Sequence, residues 1–205
     1  MVNKPAGVPV QGDRSGSESM LDLAREHIRA ECNIPGDIFL GLVHRLDRPV
    51  SGVVVFARTP KAAARLSDQF RQRSVEKKYW AIVEGQVPAN GTLEDYIVRS
   101  GTSSLINTSG AGKNALLRYR TLHVTEKLSF VEIELQTGRH HQIRVQFASR
   151  GHPVLGDVRY GAKIEFEGKA LALHARSIVL RHPSHDEELS FTADPAEAWQ
   201  RFIRM

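Results

Sequence analysis

The sequence predicts a mixed α+β fold built around a largely antiparallel central sheet that is flanked by helices and loops. Short apolar runs, several rich in valine, recur along the 205 residues, a pattern typical of buried strands. Only a few helical stretches separate these runs, and they do not alternate regularly with strands as a parallel sheet requires. Because no stretch of the chain is typical of a linker, we expect one domain over residues 1–205.

Local signals place the elements in order. Strands are predicted over residues 1–4, 39–43, 52–58, 79–84, 116–124, 128–136, 170–181 and 188–192. Helices are predicted over residues 19–30, from residue 60 onward, over 140–150 and over 196–203. Ser19 with Asp22 resembles a capping box, and Thr59 followed by Pro60 is a typical helix start. Residues 100–113 are predicted to form a flexible loop rich in small polar residues.

The charge of the chain points to an anionic partner. It has 28 basic and 23 acidic residues, which gives a net charge of +5. Residues 58–79 alone hold seven basic and two acidic residues, so the excess charge is local. Nucleic acid is the first partner that such a patch indicates, although a basic protein without one remains an open alternative.

Cysteine content and hydropathy bear on the compartment. The single cysteine, Cys32, excludes an intrachain disulfide. No apolar run approaches the length of a membrane span, and the first residues contain no apolar signal core. We therefore expect a cytoplasmic protein without a membrane partner.

The loop at residues 44–52, HRLDRPVSG, is the first candidate for chemistry. It lies between two apolar runs, where a rigid sheet presents functional loops. Asp47 has Arg45 and Arg48 near it in sequence, and positive charge keeps a carboxylate ionised and suited to nucleophilic attack. A structural turn with solvated charges is the alternative, and the spacing does not exclude it.

A second candidate is the segment at residues 135–144, LQTGRHHQIR, where a predicted strand gives way to a helix. Arg144 lies between Ile143 and Val145, which suits a buried partner for a carboxylate, although a solvated helix start is an equal alternative. Lys78 followed by Tyr79 at a strand start is typical of a base-stacking platform, but such aromatic residues are more often core residues.

Other chemistries find no support in the sequence. The candidate metal ligands are His140, His141, His152, Asp157 and His174. Their spacing does not match that of known metal sites. Neither Ser51 nor Ser149 lies in a nucleophile-elbow pattern. No glycine pattern for binding a nucleotide is present either. The sequence therefore predicts neither a metal nor a cofactor.

Taken in order, the motifs of this chain resemble those of RluA-type pseudouridine synthases. They are VNKPAG at residue 2, HRLD at 44 with SG at 51, KY at 78, TGR at 137, HQIR at 141, GD at 156, YG at 160 and LHA at 173. Together they extend over essentially the whole chain. The family usually has Thr where this chain has Val50, and residue 140 is a variable position that here is His.

The resemblance implies roles for individual residues. Asp47 is implied as the catalytic nucleophile, and Arg144 is implied as the residue that pairs with it. Tyr79 is implied to stack on the target uracil and to assist removal of the C5 proton, with Leu173 on the other side of the base. The remaining implied contacts to substrate or to the loop around it are His44, Arg45, Arg139 and Gln142.

The resemblance also implies a substrate class. We expect isomerisation of uridine to pseudouridine in ribosomal or transfer RNA, with no DNA partner, no cofactor and a monomeric protein. Many relatives have a small S4-type RNA-binding domain before the catalytic domain, and we expect none here. A non-catalytic RNA-binding protein and a nucleosidase of small molecules are the competing hypotheses. Attack on the sugar and formation of a glycal remain equally open routes.

Overall fold

The computed structural model describes residues 1–12, 16–33, 35–168 and 170–203. Its strands are β1 (Val2–Lys4), β2 (Gly41–Leu42), β3 (Ser51–Val54), β4 (Phe56–Ala57), β5 (Glu76–Glu84), β6 (Asn90–Ser100), β7 (Ser103–Asn107), β8 (Lys113–Val124), β9 (Leu128–Leu135), β10 (Leu173–Arg181) and β11 (Glu188–Thr192). Its α-helices are α1 (Met20–Cys32), α2 (Pro60–Gln72), α3 (Gln142–Ala148) and α4 (Gln200–Ile203). Single 3₁₀ turns lie at Val158–Tyr160 and Glu197–Trp199.

One large sheet organises the described residues, as the sequence predicted. Its strand order is β1-β3-β10-β5-β9-β8-β6-β7, and β11 pairs with the second half of β10. Every pair is antiparallel except β3 with β10, so the sheet is mixed but largely antiparallel. Strands β2 and β4 form a separate two-stranded sheet.

The parallel β3–β10 pair depends on a glycine. Gly52 has a φ of +118°, and a Cβ at this position would lie 2.3 Å from the carbonyl oxygen of Ala175. Both facts restrict the position to glycine, because a side chain would be strained and would also clash with backbone. The glycine thereby lets the segment that follows the Asp47 loop lie directly against β10.

The helix starts confirm the sequence signals. Ser19 caps α1 in a complete capping box with Asp22, and the Thr59 hydroxyl accepts a hydrogen bond from the backbone N–H of Ala62 at the start of α2. Leu66 is the buried residue of α2, and it packs in a cluster with Val53 from the sheet. None of the helices within the described ranges has the length and apolar character needed to cross a bilayer.

Several predicted boundaries were wrong for physical reasons. The predicted strand at residues 52–58 is two strands, because the backbone N–H of Val55 donates to His44 Nε2 and the pairing changes partner there. The predicted strand at residues 39–43 is only Gly41–Leu42, and Phe39 is 47% exposed. Residues 100–113 are not a loop alone, since β6 and β7 form a hairpin there.

Candidate active site

A pocket of about 220 Å³ opens where the Asp47 loop, strands β5, β9 and β10, and the start of α3 meet. Its lining comprises Arg45, Leu46, Asp47, Val50, Tyr79, Leu135, Gly138, Arg139, His140, His141, Gln142, Ile143, Arg144 and Leu173. The structure thus brings together all the predicted site residues except His44, although they come from four separate parts of the chain.

Hydrogen bonds to backbone atoms fix the loop that carries Asp47. The carbonyl of Asp47 accepts from the backbone N–H of Val50 at 3.0 Å, which closes a turn. The carbonyl of Arg48 accepts from the N–H of Gly7 at 2.8 Å and from Lys4 Nζ at 3.1 Å. Burial lowers the pKa of Lys4 to about 8. The first strand and its loop thus hold the Asp47 loop in place.

Arg144 lies on α3 and contacts two carboxylates. Its Nη1 donates to Asp47 Oδ2 at 3.0 Å, while Nε and Nη2 bind the two oxygens of Asp157 at 2.6 and 2.8 Å. The side chain of Arg144 is 5% exposed and that of Asp157 is 1% exposed. Bidentate charge-assisted bonds of this kind fix both distance and orientation. The contact that the sequence predicted for Arg144 is therefore present, together with a second one that it did not predict.

The arginines that flank Asp47 in sequence are not its partners. Arg48 Nε donates to the carbonyl of Gly7 at 2.8 Å, on the other side of the loop. Arg45 is exposed at the pocket edge. The positive charge in contact with Asp47 comes from Arg144, which lies 97 residues further along the chain.

Apolar side chains form the walls of the pocket. Tyr79 lies on β5 and Leu173 on the adjacent strand β10. Leu173 pairs with Ala81, two residues after Tyr79, so Tyr79 and Leu173 project from the same face of the sheet as diagonal neighbours. Leu135 and the buried Val50 complete this surface.

The phenol of Tyr79 stays protonated. Burial, followed by the charge of Asp47, raises the pKa of Tyr79 well above its ordinary value. A preformed phenolate is therefore disfavoured, which corrects any interpretation of Tyr79 as a ready base. Its ring and neutral hydroxyl are what it offers to a substrate.

Gln142 holds the loop that contains Arg139. Its Oε1 accepts from the Thr137 hydroxyl at 2.7 Å and from the backbone N–H of Arg139 at 3.0 Å. Because a backbone N–H can only donate, these bonds fix which end of the amide is the oxygen. Arg139 Nε in turn donates to the carbonyl of Asn114 at 2.8 Å. Both residues line the pocket while they order its edge.

His44 supports the Asp47 loop, one of the two roles expected for it, and it does not line the pocket. Its ring stacks on Phe70 with centroids 4.8 Å apart, and Nε2 accepts from the backbone N–H of Val55 at 2.9 Å. Burial, with a smaller effect of Lys77, lowers the pKa of His44 to about 4, so the ring is neutral at physiological pH. It therefore joins the Asp47 loop to α2.

A basic cleft lies beside the pocket. It has a volume of about 340 Å³, and Leu135 is shared between the two cavities. Its charged lining consists of the basic Arg73, Lys77 and Lys78 and the acidic Glu76 and Glu134, so the basic residues are in excess. Among the described residues, no carboxylate forms an ion pair with Arg73, Lys78 or the neighbouring Arg45. We call Arg45, Arg73 and Lys78 the basic rim.

Sequence reasoning missed three residues around Asp47. Asp157 was weighed only as a metal ligand, whereas it binds Arg144. His141 Nε2 lies 3.3 Å from Asp47 Oδ2, and the Tyr160 hydroxyl is hydrogen-bonded to the other ring nitrogen of His141, Nδ1. The motifs GD at 156 and YG at 160 were the available signal, but they carried no assigned role. In the described parts of the chain, no group of three or more potential ligands is arranged to hold a metal ion.

The mixed, largely antiparallel sheet with a pocket beside its centre defines the class of protein, that of pseudouridylate synthases. A family model described as RNA pseudouridylate synthase matches residues 1–149. The chain belongs to the RNA pseudouridylate synthase family, as its motifs predicted.

Individual relatives agree with this assignment. Ribosomal large subunit pseudouridine synthase D of Zymomonas mobilis is 33% identical and matches 100% of this chain and 69% of its own length. The protein of the same name from Pseudomonas aeruginosa is 34% identical over 90% of this chain and 61% of its own length. The human protein RNA pseudouridylate synthase domain containing 4 superposes with a TM-score of 0.81 at 26% identity, over 98% of this chain and 88% of that one.

The relatives are longer than this chain. It spans 61–69% of the length of the curated relatives that it matches. The expectation of a single catalytic domain without an S4-type domain therefore stays a prediction.

Proposed function

We propose that this chain converts uridine to pseudouridine in structured RNA, with Asp47 as the catalytic carboxylate. The observation that carries the proposal is the position of Asp47. Its carboxylate lies in a pocket walled by Tyr79 and Leu173, and Arg144 donates to it at 3.0 Å. Membership of the RNA pseudouridylate synthase family supports the same activity.

The pocket suits a nucleotide that has left its helix. A flipped base costs a few kcal/mol of lost stacking, which contact with an aromatic ring offsets. In the proposed complex the uracil packs between Tyr79 and Leu173, and Arg45 enters the RNA helix beside the gap. The basic rim then neutralises phosphates of the flanking strand. Gln142 and Arg139 keep the pocket edge in position around the nucleotide.

Two routes use the same carboxylate. In one, Asp47 attacks C1′ of the ribose and the bond from C1′ to N1 of the uracil breaks. In the other, Asp47 takes a sugar proton and a glycal forms as the same bond breaks. In both, the uracil turns and C5 bonds to C1′. The ester bond from Asp47 to C1′ breaks at this point in the first route, and Asp47 returns the proton to the sugar in the second. The C5 proton then leaves to water, which restores the aromatic ring of the base and the free carboxylate. Tyr79 stays close to C5 as a neutral phenol, so its part in this proton loss is through hydrogen bonding and packing.

Large-subunit ribosomal RNA is the first substrate to test. The relatives from Zymomonas mobilis and Pseudomonas aeruginosa are named for the ribosomal large subunit. Transfer RNA is the second substrate class, because its stem-loops present the same kind of flipped uridine.

The decisive experiment measures tritium release from RNA transcribed with 5-tritiated uridine. We expect the wild type to release tritium from ribosomal or transfer RNA. Asp47→Asn keeps the size of the side chain and removes the carboxylate, so we expect a loss of at least about a thousandfold in rate. RNA binding by this variant, measured at one salt concentration, should stay within about threefold of the wild type, a change of less than 1 kcal/mol.

The outcomes separate the hypotheses. Salt-sensitive binding without release from either RNA class would favour the non-catalytic RNA-binding protein. Formation of free uracil from uridine, without tritium release and insensitive to salt, would favour the nucleosidase. Undiminished release by Asp47→Asn would leave an isomerase but remove Asp47 from its mechanism.

A further inference from the structure

A line of polar contacts leads from Tyr160 through His141 to Asp47. His141 Nε2 lies 3.3 Å from Asp47 Oδ2, and His141 Nδ1 lies 2.8 Å from the hydroxyl of Tyr160. The Tyr160 oxygen accepts the backbone N–H of Ser104 at 2.8 Å. The His141 side chain is 6% exposed, so this line is closed to solvent over most of its length.

The chemistry of the groups fixes the direction of every proton in this line. An ionised carboxylate only accepts, so Nε2 of His141 must carry the hydrogen that faces Asp47. Burial lowers the pKa of His141 to about 4, so the ring is neutral and Nδ1 must then accept. The Tyr160 hydroxyl donates to Nδ1, while the N–H of Ser104, which can only donate, satisfies the Tyr160 oxygen. The phenol therefore selects the tautomer of His141.

The contacts to the Asp47 carboxylate fall on one of its two oxygens. Arg144 Nη1 donates to Oδ2 at 3.0 Å, and His141 Nε2 faces the same oxygen at 3.3 Å. Among the described residues, no hydrogen bond goes to Oδ1. The two oxygens of Asp47 therefore differ in their surroundings.

The backbone around His141 shows how firmly the ring is placed. His141 has a φ of +54°, a conformation that costs a residue with a side chain about 1 kcal/mol or more and that persists where surrounding contacts impose it. The ring of His140 stacks on it with centroids 3.8 Å apart. The fully buried Ser104 donates from its hydroxyl to the carbonyl of His140 at 2.7 Å. Strand β7 thus holds both histidines.

We propose that His141 and Tyr160 are positioning residues that hold Asp47 Oδ2 so that Oδ1 is the oxygen that reacts with the ribose. The inference rests on the proposed isomerase activity and deepens it. A neutral histidine that donates to the carboxylate orients it without taking its charge, and Arg144 alone could not fix rotation about the last side-chain bond. The Tyr160 hydroxyl acts through His141, whereas the Tyr160 ring packs against the Arg144 guanidinium, whose central carbon lies 5.1 Å from the ring centroid.

The test is steady-state tritium release with separate values of kcat and KM. Tyr160→Phe removes one hydroxyl, and we expect kcat to fall about tenfold, the effect of one hydrogen bond, with KM unchanged. His141→Leu should lower kcat about 30- to 100-fold, since a hydrogen bond to a charged group is lost. His141→Gln, whose amide N–H reaches a position close to Nε2–H, should recover most of that loss.

The double variant His141→Leu/Tyr160→Phe separates positioning from a general structural role. If Tyr160 acts through His141, the double variant has the same kcat as His141→Leu. Tyr96→Phe, at a side chain that is 44% exposed, is the matched control for loss of a phenolic hydroxyl. Thermal melting of each variant, and rates scaled to the folded fraction, account for any loss of stability.

Each outcome bears on the inference. Additive effects in the double variant, a Tyr160→Phe protein with wild-type kcat, or a His141→Gln protein as slow as His141→Leu would each overturn it. A wild type that releases no tritium overturns the proposed function and this inference with it. If the wild type is active and the His141 and Tyr160 variants have the same kcat as the wild type, the inference is overturned while the proposed function stands.

Discussion

The interior around Asp47 and the basic rim use charge in opposite ways. In the interior Arg144 is 5% exposed and its guanidinium is bound by two carboxylates. On the rim Arg73 is exposed, and no carboxylate of the described residues pairs with it or with Lys78. Buried charges interact at low dielectric and must be paired, whereas exposed charges act over a Debye length of about 8 Å and weaken with salt.

This difference assigns two tasks to two regions. The interior sets the geometry of one carboxylate, so changes there should affect kcat and folding. The rim attracts a polyanion, so changes there should affect KM and the salt dependence of binding. The following predictions test that division, from the largest expected effect to the smallest.

Removal of Arg144 should have the largest effect on stability. Arg144→Met leaves Asp157, which is 1% exposed, as a buried charge without its partner. We expect a loss of about 3–5 kcal/mol in the free energy of unfolding, measured by urea denaturation. The double variant Arg144→Met/Asp157→Leu should recover much of the stability but none of the activity, because Asp47 still lacks its cation. Recovery of activity in that double variant would contradict the assignment of the interior to positioning Asp47.

His44 should make the interior sensitive to acid. Its pKa is lowered to about 4 in the fold, against an ordinary 6.5, so the folded state resists protonation. The free energy of unfolding is therefore unaffected by His44 above pH 6.5 and decreases as the pH falls toward 4. The decrease due to His44 is about 2 kcal/mol at pH 5. His44→Gln keeps an acceptor for the N–H of Val55 but does not titrate. Its stability should therefore change less than that of the wild type between pH 7.5 and 5; an equal change would exclude His44 as a source of acid sensitivity.

The rim should control affinity without changing the chemical step. Arg73→Gln/Lys78→Gln should reduce the steepness of the plot of log affinity against log salt concentration by about 2, because each lost phosphate contact removes about one unit. The kcat of this double variant should stay within about twofold of the wild-type value. Lys127→Gln/Lys163→Gln removes the same charge at exposed positions outside the linings of the pocket and the basic cleft, and should leave the slope unchanged. Equal changes in both proteins would mean that net charge, and not the rim, attracts the RNA.

The sequence could predict those elements whose signals are local. The caps at Ser19 and Thr59 fixed the starts of α1 and α2, and strand β11 was predicted with its observed bounds. The hairpin of β6 and β7 was missed for two reasons. The segment at residues 100–113 is rich in small polar residues, so its β7 part becomes a strand only by pairing with β6. The apolar residues of β6, among them Leu93 and Ile97, were not recognised as a strand pattern.

The site followed the same rule. Asp47, Tyr79 and Arg144 were found because each lies in a motif that its neighbours define. Tyr160 and Asp157 contact the site from positions 13 to 19 residues beyond their partners, and no local pattern shows that a turn brings them back. Sequence reasoning therefore identified residues that line the pocket better than residues such as Asp157 and Tyr160, which contact the lining residues from outside it.

The shared guanidinium of Arg144 has a further consequence. One cation stands between two carboxylates, and the neutral His141 adds no charge, so the cluster holds one negative charge in excess. In the proposed mechanism, positive charge develops on the sugar near Asp47 when the bond between C1′ and the uracil breaks. Electrostatic catalysis depends on charge that is placed in advance where the opposite charge develops, so a neutral cluster would stabilise such an oxocarbenium-like state less. Under this proposal Asp157, which is buried behind Arg144, helps to set the electrostatic potential in which the glycosidic bond breaks.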